Sequence, residues 1–296
     1  MDLNTLIVAV FYEVDNWFAG QKKLRQRGPE PELSDSEVLT MEIVGEFLGI
    51  DAEKDLYAYF KRHYGEWFPA LREVHRTTFT RQMANLWVAK ERLWRHLLRR
   101  TGFDPRISVV DSFPGCPLAV SPAPTAAAFC PRSRPSATTR DGQADLLRAA
   151  SAPAYLLARG VIVGVALVPA DAHDLTVAEE LLEGAEGWAL GDRNYWSPKL
   201  TERLLGEEGL RLLAPYKSKK KEKRPWPRWL VQKRRRIETV IGQLVERYRA
   251  KKVRARDRWH LTSRWLRKVL SHTMSVFLCQ EEADLPPLRF AHLLTD

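Results

Sequence analysis

Cysteine is scarce: Cys116, Cys130 and Cys279 are the only three among 296 residues. They form no Cys-x-x-Cys pair, and no histidine stands at zinc-finger spacing from them. A disulfide framework and a structural zinc module are therefore excluded, and a reducing cytoplasm fits. Long apolar runs are also missing, and the first eighteen residues carry Asp2, Glu13 and Asp15 without a basic leader, so neither membrane insertion nor secretion is expected. Acids are outnumbered, 37 against 47 lysines and arginines. The resulting formal charge of +10 attracts polyanions, which makes nucleic acid the first partner to consider. What is present in quantity is hydrophobic side chain, 45% of the chain, enough to bury a core; the length predicts two domains.

The positive charge is uneven. Lys217, Lys219, Lys220, Lys221, Lys223 and Arg224 cluster, and Lys233, Arg234, Arg235 and Arg236 follow after Pro225-Trp226-Pro227. Such a run is either a solvated loop or a DNA contact, with Trp226 able to stack on an unpaired base.

Residues 1–100 show helical period. Ser34 and Glu37 form the two ends of a capping box ahead of Val38-Leu39 and Ile43-Val44. A further helix is predicted from Thr77 or Thr78 through Leu97, with Phe79, Met83, Leu86, Trp87, Leu93 and Leu97 on its apolar side. Arg76, Arg81, Lys90, Arg92 and Arg95 are placed on its polar side, which is either a solvated face or a surface for a DNA groove.

After Arg100 the period changes. Ile107 to Val110 is a short β-rich run ending in Asp111, Val161 to Val168 is a second, and Trp188 to Leu190 leads through Gly191 to Asp192. Asp174 or Thr176 can cap an intervening helix closed by Gly184, Leu200 to Leu205 repeats the theme, and Leu210 to Pro215 is a last strand. Trp229 to Arg249 is predicted as a long helix with Ile237, Ile241, Leu244, Val245 and Tyr248 on one face. The class is α/β, a catalytic domain over 101–296 following a helical domain over 1–100, with 250–296 as C-terminal helices.

The stretch from Gly115 to Arg159 departs from this pattern: it holds no lysine, glutamate, isoleucine or tryptophan and is rich in alanine, proline, serine, threonine and arginine. A structureless loop of that length is improbable inside a compact domain, so the segment is either an insertion or the product of two compensating frameshifts in the gene.

Two strand-terminal aspartates and one helical glutamate stand out. Asp111 and Asp192 fall where α/β sheets gather ligands, and Glu238 shares a helical row with Ile241, Val245 and Tyr248, which predicts that its carboxylate faces the sheet. Oxygen-only donors suit Mg²⁺ or Mn²⁺ and phosphate chemistry. Ordinary roles stand beside this reading: Asp111 capping a turn, Asp192 making an Asx turn, Glu238 pairing with Arg234 one turn earlier. His173 is a weaker candidate base, since metal activates a nucleophile without it.

The blocks Val109-Val110-Asp111-Ser112-Phe113-Pro114, Pro169 to Leu175, Leu190-Gly191-Asp192-Arg193-Asn194-Tyr195 and Arg235-Arg236-Ile237-Glu238-Thr239-Val240 resemble the signature blocks of DDE transposases from bacterial insertion sequences, most closely the insertion sequence nine-eighty-two group. The resemblance implies a ribonuclease H-like catalytic domain, with Asp111, Asp192 and Glu238 as catalytic residues holding two Mg²⁺ or Mn²⁺ ions. It also implies double-stranded DNA as partner, a homodimer on that DNA, and a place in the cytoplasm at the bacterial nucleoid. Lys219, Lys220, Lys221, Lys233, Arg234, Arg235, Arg236, Tyr195, Trp226 and Arg81 become the expected DNA contacts. Two positions depart from the pattern, Val231 and Val245, where relatives carry a tyrosine and a lysine. Relatives also have a second, antiparallel strand within the region of Gly115 to Arg159, and none is legible here, so the central sheet is expected to be incomplete. The alternative function is a decayed transposase that only coats DNA.

Overall fold

The computed structural model describes residues 1–22, 29–104, 106–112, 127–129, 151–158, 160–169, 174–216, 226–253, 255, 258–281, 286, 288–290 and 293–294. The chain divides into a helical unit, residues 1–101, 243–253 and 258–296, and an α/β unit, residues 102–242 and 254–257. The C-terminal segment expected to belong with the catalytic domain thus groups with the N-terminal helices, because the last helix packs among them.

Five helices open the helical unit: α1 (Leu3–Ala19), α2 (Asp35–Phe47), α3 (Glu53–His63), α4 (Arg76–Asn85) and α5 (Trp87–Arg100). The capping box forms as the sequence predicts, Glu37 N donating to Ser34 Oγ at 3.1 Å and Ser34 N to Glu37 Oε2 at 2.7 Å. The single helix predicted from Thr77 to Leu97 is two helices, interrupted at Leu86, whose ψ of 11° leaves the helical range. Two helices lie at the centre of the unit, α2 and α9 (Arg258–Glu281), and both are buried nearly all round. Burial all round normally demands an apolar sequence, yet Glu42, Glu46, Lys90, Arg267 and Lys268 are each 0–1% exposed.

Complementary charge resolves that conflict. Lys90 Nζ donates to Glu42 Oε1 at 2.6 Å, Met83 O at 2.9 Å and Ser263 Oγ at 2.8 Å, which uses all three of its protons. Lys268 Nζ does the same with Glu46 Oε2 at 3.0 Å, Asp51 Oδ1 at 2.7 Å and Tyr248 O at 2.6 Å. Arg267 reaches the other oxygen of Glu46 at 2.5 Å through Nε and the Asp51 carbonyl at 2.9 Å. Burial pushes the Glu42 carboxyl up and the Lys90 ammonium down, each opposed by the other's charge. The expectation that Lys90 sits on a solvated face is therefore corrected: after the break at Leu86 it turns inward and meets the acid on α2.

In the α/β unit the strands are β1 (Ile107–Ser112), β2 (Ala127–Phe129), β3 (Ser151–Ala158), β4 (Val161–Pro169), β5 (Trp188–Leu190) and β6 (Arg211–Leu213), in the order β2-β4-β3-β1-β5-β6. The pairs β1–β3, β3–β4 and β2–β4 are antiparallel, whereas β5 and β6 run parallel to β1. This is a mixed sheet, as the α/β reading of the sequence expects. The sheet is not incomplete: β3, from the compositionally odd segment, pairs on both sides, Asp111 opposite Tyr155 and Tyr155 opposite Val165. Ladder bonds are made by backbone groups, so a strand does not need the β-branched pattern that would make it visible.

Helices α6 (Asp174–Leu182) and α7 (Pro198–Glu208) cover one sheet face. Val110, Ala166, Ala189 and Leu212 share a core there with Ala178, Leu181, Leu200 and Leu204. Ser197 caps α7 through Leu200 N at 3.3 Å, and Gly184 and Gly209 close α6 and α7 with φ of 68° and 65°. Helix α8 (Arg228–Glu246) runs from the α/β unit into the helical unit. Among the described residues no helix is long and apolar enough to cross a membrane.

Candidate active site

Strand direction decides where the two aspartates stand. Because β1 and β5 are parallel and Val109 pairs with Leu190, Asp111 and Asp192 each lie two residues beyond that pair, at the carboxyl ends of neighbouring strands. Adjacent strands are about 5 Å apart, so the two backbones leave the sheet side by side. Side chains alternate along a strand, and Val110 faces the α6–α7 core. Asp111 therefore emerges on the opposite face, with Val109, and is half-buried.

Asp192 is held from below. Gly191 N donates to Leu213 O at 2.9 Å, which carries the β5–β6 pairing one residue further. A Cβ at Gly191 would lie 2.6 Å from Tyr195 Cβ, so glycine is what allows the chain to turn tightly over the tyrosine ring. Asp192 Oδ1 accepts from Asn194 N at 2.8 Å and caps the short turn Arg193–Tyr195. The Asx turn weighed as the ordinary role of Asp192 is present, and it engages one oxygen of the carboxylate. The neighbouring Arg193, which no motif argument singled out, donates through Nη1 to Tyr216 O and ties this turn to the chain beyond β6.

Tyr195, expected at the DNA surface, is 1% exposed and lies in the α6–α7 core. That is a correction: its position in the block reflects packing under Gly191 and not a contact with a ligand.

Glu238 also differs from expectation. The buried residues of α8 in the α/β unit are Leu230, Ile237 and Val240, and Glu238, about 100° around the helix from Ile237, is exposed. The predicted row 238, 241, 245, 248 is off by that rotation: Ile241 and Val245 are only partly buried, and the apolar face is centred on Ile237 and Leu244. Among the described residues no group of three histidines, cysteines, aspartates or glutamates is assembled for a metal ion. The structure thus brings Asp111 and Asp192 together and leaves Glu238 on a solvated side of its helix.

Basic residues surround that position. Lys233 and Arg234 are half-buried, and Arg235 and Arg236 are exposed on the turn before Glu238. Trp226 is half-buried and Trp229 exposed at the start of α8. In the helical unit Arg81 is exposed on α4 with Arg76, Thr77 and Thr78. Lys219, Lys220, Lys221 and His173 lie outside the described residues. His272 and Cys279 are fully buried in the helical unit, as packing residues should be.

Residues 155–258 match the family model described as Transposase DDE domain, a span that contains Asp192 and Glu238 and begins after Asp111. No curated protein matches the chain. Among solved structures, a pre-cleavage Mos1 transpososome is similar at 12% identity over 89% of this chain and 85% of that one, with a TM-score of 0.22. The Mos1 strand transfer complex is similar at 13% identity over 79% and 82%, with a TM-score of 0.21.

Proposed function

We propose that this chain, which matches the Transposase DDE domain model over residues 155–258, is a DDE-type transposase that cleaves transposon ends and joins the freed 3′-hydroxyl to target DNA in a metal-dependent reaction. Asp111, Asp192 and Glu238 are its metal ligands and catalytic residues. The observation that carries this is the pair Asp111 and Asp192 at the carboxyl ends of adjacent parallel strands. Two carboxylates there, oxygen donors both, suit Mg²⁺ or Mn²⁺, two ions in the working complex. When bound, the ions activate the attacking oxygen and stabilise charge on the leaving oxygen during in-line displacement.

The chain supplies the rest. Asn194 N orients the Asp192 carboxylate through one of its oxygens. Arg234, Arg235 and Arg236 bring positive charge to the helix that bears Glu238, where backbone phosphates would lie. Trp226 and Trp229 offer stacking surfaces beside them. Double-stranded DNA is the substrate, and a homodimer on that DNA, in the cytoplasm at the nucleoid, pairs the two transposon ends.

The exposed Glu238 favours one second reading, a decayed transposase that binds DNA without cutting it. Nicking of the element's own ends by the purified chain in Mn²⁺ or Mg²⁺ separates the two. Wild type is expected to nick only with metal, and Asp192→Asn to lose at least about a hundredfold in rate, the several kcal/mol a metal ligand supplies. DNA binding without cleavage in either metal would establish the second reading. Cleavage without joining of pre-cut ends would mark a nuclease.

A further inference from the structure

Arg193 directly follows Asp192, and a guanidinium on the residue next to a metal ligand repels the incoming ion. Its presence there needs another reason, and its contacts supply one. The side chain is half-buried, and its Nη1 donates to Tyr216 O on the chain leaving β6.

Tyr216 is a firm point of attachment. Leu212 is buried in the α6–α7 core, and Pro215, whose ring fixes its own φ, is buried immediately before Tyr216. Trp196, at the far end of the Asp192 turn, makes a second tie to the same residue: its ring lies 5.4 Å from the Tyr216 ring between centroids, with the planes 39° from parallel. At the near end Gly191 N donates to Leu213 O at 2.9 Å. The turn is thus gripped at Gly191, Arg193 and Trp196, and each grip is on residues 213–216. The N–H that orients the Asp192 carboxylate, Asn194 N at 2.8 Å, belongs to the peptide joining Arg193 to Asn194. The Arg193 side chain therefore anchors the same residue whose following peptide bond holds the carboxylate.

We infer that Arg193 and Trp196 are positioning residues: by clamping the turn to Tyr216 they hold the Asp192 carboxylate in the orientation that a divalent cation requires. The inference rests on the reading of Asp192 as a metal ligand. Charge and position predict opposite signs for it. Acting through charge alone, Arg193 would weaken cation binding and its removal would strengthen it; acting through the tie, its removal weakens binding.

The test is Mn²⁺ titration of the full chain without DNA, read by electron paramagnetic resonance of the free ion, with thermal melting of each variant alongside. Wild type is expected to bind Mn²⁺ and Asp192→Asn to lose it. Arg193→Ala is expected to weaken binding by roughly tenfold, the scale seen when a group that orients a metal ligand is removed. Trp196→Leu alters no charge and is expected to weaken binding by a smaller factor. It decides the matter should Arg193→Ala melt below the temperature of the titration. Unchanged or tighter Mn²⁺ binding by a folded Arg193→Ala, or unchanged binding by Trp196→Leu, overturns the inference. If Asp192→Asn binds Mn²⁺ as wild type does, the metal-site reading itself fails; if Asp192→Asn loses the ion while Arg193→Ala keeps it, only the clamp fails.

Discussion

The helical unit and the α/β unit place their key carboxylates in opposite circumstances. Glu42 and Glu46 are sealed between helices, and ammonium or guanidinium nitrogens meet them at 2.5 to 3.0 Å. Asp111 and Asp192 stand at strand ends, partly exposed, and the described partner of Asp192 is a backbone N–H at 2.8 Å. An acid whose charge is already neutralised by the protein has nothing left for a ligand. An acid anchored through one oxygen by a neutral dipole keeps its charge available. The difference marks the first set as architecture and fits the proposal that the second receives a cation.

Breaking the buried set should have the largest effect. Arg267→Met leaves Glu46 and Asp51 with one cation fewer in a dry interior, and we expect a loss of about 3–5 kcal/mol in urea unfolding. A loss under about 1 kcal/mol would show that the pairing is not what holds α2 to α9.

Acid should act on the same unit through His272. Its imidazole is fully buried beside Gln243, Tyr248 and Phe290, and burial pushes its pKa down to about 3 from 6.5. The unfolded chain therefore binds the extra proton first. Stability from this group is complete above about pH 6.5 and falls by about 1.4 kcal/mol per pH unit as pH drops toward 3. Unfolding measured from about pH 7 to 4.5 should show that slope in wild type and a flatter one in His272→Gln.

The strand-end site should respond less in stability than in chemistry. Gly191→Ala forces a methyl against Tyr195 and should cost roughly 2 kcal/mol by denaturation, the scale of overpacking. Asp192→Ala removes a cap worth about 1 kcal/mol, whereas Asp192→Asn keeps an oxygen for Asn194 N and should melt near wild type. If Asp192→Asn were as destabilising as Arg267→Met, the contrast between the two sets of acids would fail.

Much of this arrangement is legible in the sequence where the signal is local. The capping box at Ser34, the strands before Asp111 and Asp192 and the glycine closing α6 depend on neighbours within a few residues. Lys90 was not legible, because a lysine looks the same in sequence whether solvated or paired, and its partner Glu42 is 48 residues away. The break at Leu86 carries no glycine or proline to announce it. Strand β3 has no β-branched pattern, and only its two neighbours in the sheet make it a strand. The exposure of Glu238 turned on about 100° of helix rotation from Ile237, less than the apolar stripe of α8 resolves, since Ile241 and Val245 extend the apolar pattern toward Glu238 although the buried face is centred on Ile237 and Leu244.

By itself the sequence determined an α/β portion with two strands that end in aspartates, a helical portion, and a basic charge suited to DNA, because these follow from periodicity, turn chemistry and charge counts. The tertiary structure alone decided which charged residues are buried in pairs, that α9 packs with the first helices, and that Tyr195 lies in a core. Those outcomes depend on contacts between segments far apart in the chain, and long-range packing leaves no mark on the local pattern.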